Sequence, residues 1–243
     1  MVHTPDGDQF AHQPHESFFA ASTIKVPVAV ELLRRIDRGE LSLGETYEVQ
    51  WRNVELGPDS KTDFEDGIAL PLREMIYMMI SMSDNDAANV LIEMAGMDAV
   101  NRTIRELGLR HTVLERFILG NIGEVGGGQN WTTASDLALL MDAIVNDRAA
   151  SAESCKRLRH MLVWQPNMNR IGYHFKDWTL PWGSKTGTVG AASHDAGFIR
   201  GECGIMVIAV CTHGFPGWRE AEPAIAEITR LAAAASGILP NKL

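Results

Sequence analysis

The chain has 243 residues, 45% hydrophobic and 22% charged, the make-up of a globular protein large enough to bury a sizeable core as one large domain or two small ones. Its 31 acidic residues outweigh 22 basic ones for a net charge of -9, and no basic stripe interrupts the surplus. Nucleic acid and anionic membranes are therefore excluded as expected partners.

The opening stretch "MVHTPDGDQFAHQPHESF" has neither a basic n-region nor an apolar h-region, so it does not read as a signal peptide. The compartment stays open: cytoplasmic as the chain stands, periplasmic or secreted were a leader to precede it. Residues 2–20 read as a hairpin, with "PDGDQ" as its turn and "ESFFAAS" leading out of the second strand. A helix is expected over 23–38, where Val26, Val30, Leu33 and Ile36 recur at helical spacing and "RRIDRGE" closes it. Pro27 belongs in the first turn of that helix, which therefore starts near Ser22 or Thr23. Loop with short strands is expected over 45–68, then a buried helix in "PLREMIYMMIS", a turn at "MSDND" and a helix in "DAANVLIEMA". Another helix follows in "GMDAVNRTIRELG", then a Gly-rich loop from about 108 to 131. "TTASDLALLMDAIVND" reads as a helix capped by Thr132 or Thr133, and "SAESCKRLRHMLVWQ" as one more. From 178 onward "WTLPWGSKTGTVG", "SHDAGFIRG" and "CGIMVIAVCTHG" read as strands, and 219–237 as a closing helix.

Strands at both ends with helices between them point to an α+β fold. One antiparallel sheet would be built from the N-terminal hairpin and the C-terminal strands, covered by helices, with an all-helical lobe inserted. On this reading residues 1–40 and 175–243 form the sheet lobe and 41–174 the helical lobe of one domain, with the site in the cleft between them. The longest apolar runs, such as "IMVIAV", are too short to span a bilayer. Cys155, Cys203 and Cys211 form no framework and read as free thiols. The histidines show no ligand spacing, so no metal is expected.

Three short motifs carry the chemistry. In "SFFAASTIKVPVAVELL", Ser22 and Lys25 are one turn apart at a helix N-terminus. A serine hydroxyl needs a base beside it to become a nucleophile. A lysine serves where burial and nearby cations lower its pKa, and helix N–H groups stabilise the negative charge that develops. Taken alone, a capping serine and a lysine snorkelling from a helix end explain the pattern equally well. "SDN" at 83–85 offers a hydroxyl to relay a proton and an amide to hold a lysine and a substrate carbonyl; alone it is an Asx turn with Asp84 as cap. In "KTG" at 185–187, Lys185 offers charge to an anion, Thr186 a hydroxyl, and Gly187 a close approach of the strand backbone to a ligand; alone it is a lysine on an exposed strand.

S-x-x-K, S-D-N and K-T-G in this order resemble the signature of class A β-lactamases and penicillin-binding proteins. So do the spacings and the surroundings "FFAASTIKVPVAVELLRRIDRGELSLGE" and "SMSDNDAANVLIEMAG". The resemblance covers nearly the whole chain, apart from a helix that the family carries before its hairpin. It implies a β-lactamase/transpeptidase-like fold with Ser22 acylated, Lys25 its base or relay, and Ser83 passing the proton to the leaving nitrogen. Asn85 would bind substrate amide and Lys25, Lys185 and Thr186 the substrate carboxylate, and the N–H groups of Ser22 and Thr188 would form the oxyanion hole. No metal or organic cofactor is implied, and a monomer acting on a small molecule is expected.

The resemblance fails at one place. The family's loop pattern R-x-E-x-x-x-N meets Arg116, but Ile118 stands where the glutamate that activates the deacylating water belongs, and Asn121 falls one place early. Glu115 and Glu124 are the candidate replacements, the first expected to pair with Arg116 and the second to face solvent. Without rescue, β-lactams are opened but released slowly. The alternatives are a D-alanyl-D-alanine peptidase or esterase on the same scaffold, and a protein that captures β-lactam or peptide without turnover.

Overall fold

In the computed structural model, residues 1–50, 67–118, 128–177 and 179–239 are described. Strands β1 (Val2–His3) and β2 (Gln9–Phe10) form a hairpin that is shorter than the sequence suggests. The segment expected to complete it, β3 (Phe18–Phe19), pairs instead with β6 (Trp131–Thr132) in a separate two-stranded ladder. An extended run identifies a strand but not its partner, and here the partner lies more than a hundred residues away. The C-terminal strands β7 (Trp182–Val189), β8 (Ala192–Gly201) and β9 (Gly204–Thr212) form an antiparallel meander. β1 adds to β9 with Val2 opposite Ile208, which gives one sheet in the order β2-β1-β9-β8-β7. Strands β4 (Thr46–Glu48) and β5 (Ala69–Pro71) make a further small ladder.

Side chains alternate across the sheet, so β8 and β9 serve two cores. Ala196, Phe198, Val207 and Ala209 join the helical core on one face. On the other, Ile199, Met206 and Ile208 pack with Ile225 and Ala233 of the closing helix α7 (Trp218–Ala235). The helical side is centred on α1 (Lys25–Asp37), whose first nine residues are all buried. It packs against α3 (Asn85–Ala95), α4 (Met97–Glu106) and α6 (Ala152–Val163), while α5 (Ala134–Val145) lies on β8 and β9. A helix apolar nearly all round is expected at such a centre, and each fully buried leucine such as Leu32 or Leu33 contributes about 1.5–3 kcal/mol. Thr133 caps α5 by accepting the Asp136 N–H, and Ser151 caps α6 through Ser154. The helix expected over 71–81 is α2 (Leu72–Tyr77) followed by a π-turn at Met78–Met82. Among the described residues, no helix is long and apolar enough to cross a membrane, and all three cysteines are free thiols.

Candidate active site

The chain enters α1 through a 3₁₀ turn, Ala21–Ile24, and the Lys25 N–H bonds back to the Ser22 carbonyl. In a 3₁₀ turn residues i and i+3 eclipse one another, so Ser22 and Lys25 lie on one face as the spacing implied. Lys25 is fully buried. Its Nζ donates to Ser83 O at 2.8 Å and Asn85 Oδ1 at 2.6 Å, and lies 3.4 Å from Ser83 Oγ. Lys185, 1% exposed rather than on an open strand, donates from the other side to Ser83 Oγ at 2.8 Å and to Thr186 O at 2.9 Å. The three motifs therefore meet at one hydroxyl. Asp84 caps α3 by accepting the Ala87 N–H at 2.8 Å, so the local turn with Asp84 as cap is present alongside the contacts of Ser83 and Asn85 with the lysines.

Two non-glycine residues at this centre have left-handed backbone: Ala21, beside the nucleophile candidate, at φ 46, and Ser83 at φ 57. Such conformations cost energy for L-residues and persist only where the surroundings enforce them. The π-turn that delivers Ser83 is of the same kind.

Ser22, Ser83, Asn85, Lys185, Thr186 and Thr188 line one cavity of about 750 Å³. β7 forms its sheet-side wall and is the free edge of the sheet. Gly187 has a packing use besides the one expected. A Cβ there would lie 3.0 Å from Thr23 Cγ2 and 3.1 Å from Ala20 O, so the bare backbone admits the turn that carries Ser22.

Ile118 also lines the cavity and is 8% exposed. Its N–H donates to Asn89 Oδ1 at 2.9 Å, and its carbonyl accepts from Asn89 Nδ2 at 3.2 Å. Asn89 lies one turn beyond Asn85 on α3, so one helix face holds the lysine and the loop together. Asn130 anchors the segment just before Ile118: Oδ1 accepts the N–H groups of Glu115 and Arg116, and Nδ2 donates to Arg116 O. Its carbonyl accepts the Ala20 N–H at 2.7 Å, tying this segment to the turn that carries Ser22. Glu115 is exposed, accepts the Gln129 N–H at 3.1 Å, and is not among the cavity's lining residues. The expected pair with Arg116 does not form among the described residues; Arg116 reaches toward Gln129 and Phe117 O instead. Glu124 and Asn121 lie outside the described residues.

The sequence motifs give no sign of Arg170. Fully buried, it donates to Gly187 O at 3.1 Å, His194 O at 2.8 Å and Thr188 Oγ1 at 2.7 Å, and pairs with Glu222 at 3.2 Å. It lines the cavity with Trp218, adding a fixed cation beside Lys185. Behind it Asp195 accepts the Ile171 N–H on Oδ2 at 3.0 Å. Burial pushes its carboxyl upward against the pull of Arg170 and of the Ser184 hydroxyl.

His194 is buried, and burial lowers its pKa to about 4. The unfolded ring takes its proton near 6.5 and the folded one only near 4, so between these values the unfolded state binds more protons. The stability His194 permits is complete above pH 6.5 and falls by about 3 kcal/mol as pH drops through 4. The raised carboxyl of Asp195 works in the opposite sense. The expected result is therefore a difference: urea unfolding at a series of pH values should show a loss between pH 6.5 and 4 that is larger in the wild type than in His194→Gln.

The description of the β-lactamase enzyme family fits residues 1–235 of the chain. The chain belongs to that family. A β-lactamase of Rhodobacter capsulatus is 34% identical over 141 residues, covering 57% of this chain and 47% of that protein, so the match spans about half of the relative. A solved β-lactamase of Sphaerobacter thermophilus is 38% identical with a TM-score of 0.92, covering 98% of this chain and 91% of its own. A Leu→Glu variant of PBP-A, solved as an acyl-enzyme with penicillin G, is 25% identical with a TM-score of 0.82, covering 95% and 86%. Family members thus share this antiparallel sheet with its helices along the whole described chain.

Proposed function

We propose that the protein is a serine hydrolase that forms an acyl-enzyme at Ser22 with β-lactam-like cyclic amides and releases it slowly. The observation that carries this reading is the double clamp of Asn89 on the backbone of Ile118. It fixes an aliphatic side chain, rather than a base, in the wall of the cavity that Ser22 opens into.

In the acylation step Lys25 takes the Ser22 proton as Oγ attacks the substrate carbonyl. The C–N bond then breaks, and the nitrogen gains a proton through Ser83. The hydrogen bonds around Ser83 support its part. A hydroxyl has one donor and two acceptor lone pairs, and the two lysine amines approach its oxygen, leaving the O–H for the leaving nitrogen. Lys185, Thr186 and the Arg170 charge favour an anionic group on the substrate, and the N–H groups of Ser22 and Thr188 would receive the oxyanion. Hydrolysis then requires water to attack the ester with no carboxylate at position 118 to activate it.

A chromogenic cephalosporin tests the reading when colour and intact mass are followed together. A stoichiometric burst is expected, followed by a slow steady rate, with a persistent adduct that peptide mapping assigns to Ser22. Fast turnover with no accumulated adduct would reject slow release. No colour and no adduct would reject β-lactams as substrates and redirect the site to esters or peptides.

Gly187→Ala provides an independent check. The added methyl would lie 3.0 Å from Thr23 Cγ2, so β7 and the Ser22 turn must part slightly; a full 1 Å misplacement costs about 10²-fold in rate, and this smaller one should cost less. The burst should slow while its amplitude stays near one per chain. An unchanged burst rate would mean that the approach of β7 to this turn does not set the geometry.

A further inference from the structure

The two chain segments that would supply the oxyanion donors come from distant parts of the sequence. Ser22 follows β3 through Ala20 and Ala21, whereas Thr188 lies on β7. Hydrogen bonds to a developing oxyanion are effective only when the donors are held in place beforehand, so something must fix one segment against the other. Close packing at Gly187 sets how near they come, but packing alone does not fix how the β3 strand slides along the sheet.

His194 sits where that link is needed. In the β7–β8 ladder it lies directly opposite Gly187, and paired residues project from the same face of a sheet. Gly187 has no side chain, so the imidazole can extend over it. Nε2 reaches Phe19 O at 2.9 Å, three residues before Ser22, while Nδ1 lies 3.2 Å from the Thr212 N–H of β9. The backbone N–H of Thr212 can only donate, so Nδ1 is the acceptor, Nε2 carries the hydrogen, and Phe19 O receives it. The Phe18 ring packs edge-on against the imidazole with centroids 5.4 Å apart. The backbone of the same residue serves the other segment: His194 O accepts from Arg170, whose guanidinium also holds Gly187 O and Thr188 Oγ1.

We propose that His194 is a positioning residue that locks the Ser22 turn and the Gly187–Thr188 edge of β7 into one oxyanion frame, through its Nε2–H on Phe19 and its carbonyl on Arg170. It touches no substrate. The inference rests on the acyl-enzyme reading above and adds to it a residue outside the three motifs.

Two substitutions separate the link from simple core filling. His194→Gln can place an amide N–H near the Nε2 position and keep the donor to Phe19. His194→Asn can keep an acceptor for Thr212 but is too short to reach Phe19. Both remove the ring and its packing. With a chromogenic cephalosporin, the saturating acylation rate should be nearly retained in the Gln variant and fall by about 10²-fold in the Asn variant. The concentration for half-saturation should change little in either, because the groups that bind the substrate anion remain. Equal rates in the two variants, or a loss in Asn that merely follows its folded fraction, would overturn the proposal. Nitrogen NMR of the wild-type imidazole judges the link without any variant. An Nε2–H tautomer at pH 7 is expected, and an Nδ1–H tautomer or an imidazolium would refute it. A wild type that never labels at Ser22 would defeat the acyl-enzyme reading, while the tautomer signal would still decide whether this link exists.

Discussion

Ile118→Glu should release the acyl group about 10²–10⁴-fold faster than the wild type, the range attached to a positioned general base. The substitution is well defined because the backbone at 118 does not depend on its own side chain for placement. Asn89 holds the N–H at 2.9 Å and the carbonyl at 3.2 Å, so a glutamate there starts from the same Cα. It also enters the cavity wall that Ser22, Ser83 and Lys185 share. The cost falls on stability. Ile118 packs with the helical core, and replacing that contact by a carboxyl group lowers stability by about 1–3 kcal/mol. The check is the decay of the adduct by intact mass once free β-lactam is removed, with Ile118→Gln alongside. The glutamine is polar and similar in size but is no base, so its release should stay close to the wild-type rate. Equal acceleration by both would mean that polarity or loosened packing, not base catalysis, limits release. No acceleration by Glu would mean that the missing carboxylate is not the bottleneck.

This prediction starts from a feature legible in the sequence, since Ile118 stands two places after Arg116. Its fixed placement was not legible, because it depends on Asn89 reaching from another element. The spacing of Asn85 and Asn89 on an otherwise apolar helix was the available signal: two amides at i and i+4 share a face. The meeting of Lys25, Ser83 and Lys185 was legible because each belongs to a short motif. Their actual geometry depends on left-handed backbone at Ala21 and Ser83, for which neither alanine nor serine gives a local cue. Arg170 lay beyond sequence reasoning for a different reason. Two of its four partners are backbone carbonyls, of Gly187 and His194, and carbonyls carry no residue identity. The strands of the main sheet were foreseen from alternation, but the pairing of Phe18–Phe19 with Trp131–Thr132 was not, because strand pattern names a face and leaves the neighbour open.

Lys25→Met should lower the acylation rate of Ser22 by about 10²–10⁴-fold, again the contribution of a base in reach of the proton it removes. Methionine fills most of the space of the buried lysine stem, so the change removes an amine without opening a large void. Ser83 O and Asn85 Oδ1 each lose a donor, which costs about 1–3 kcal/mol for a buried group left unmade. A variant that melts lower but remains folded at the assay temperature thus isolates the chemical effect. Lys185→Met supplies the contrast. That amine sits on Ser83 Oγ and on β7, where the proposed reading has it meet the substrate anion, so its loss should show first as weaker binding. At saturating cephalosporin the two variants should therefore diverge, with Lys25→Met slow at every concentration and Lys185→Met recovering much of its rate. If Lys25→Met acylates within a few-fold of the wild type, the proton leaves Ser22 by another route. Ser83, sharing its oxygen between both lysines, would then be the first residue to substitute.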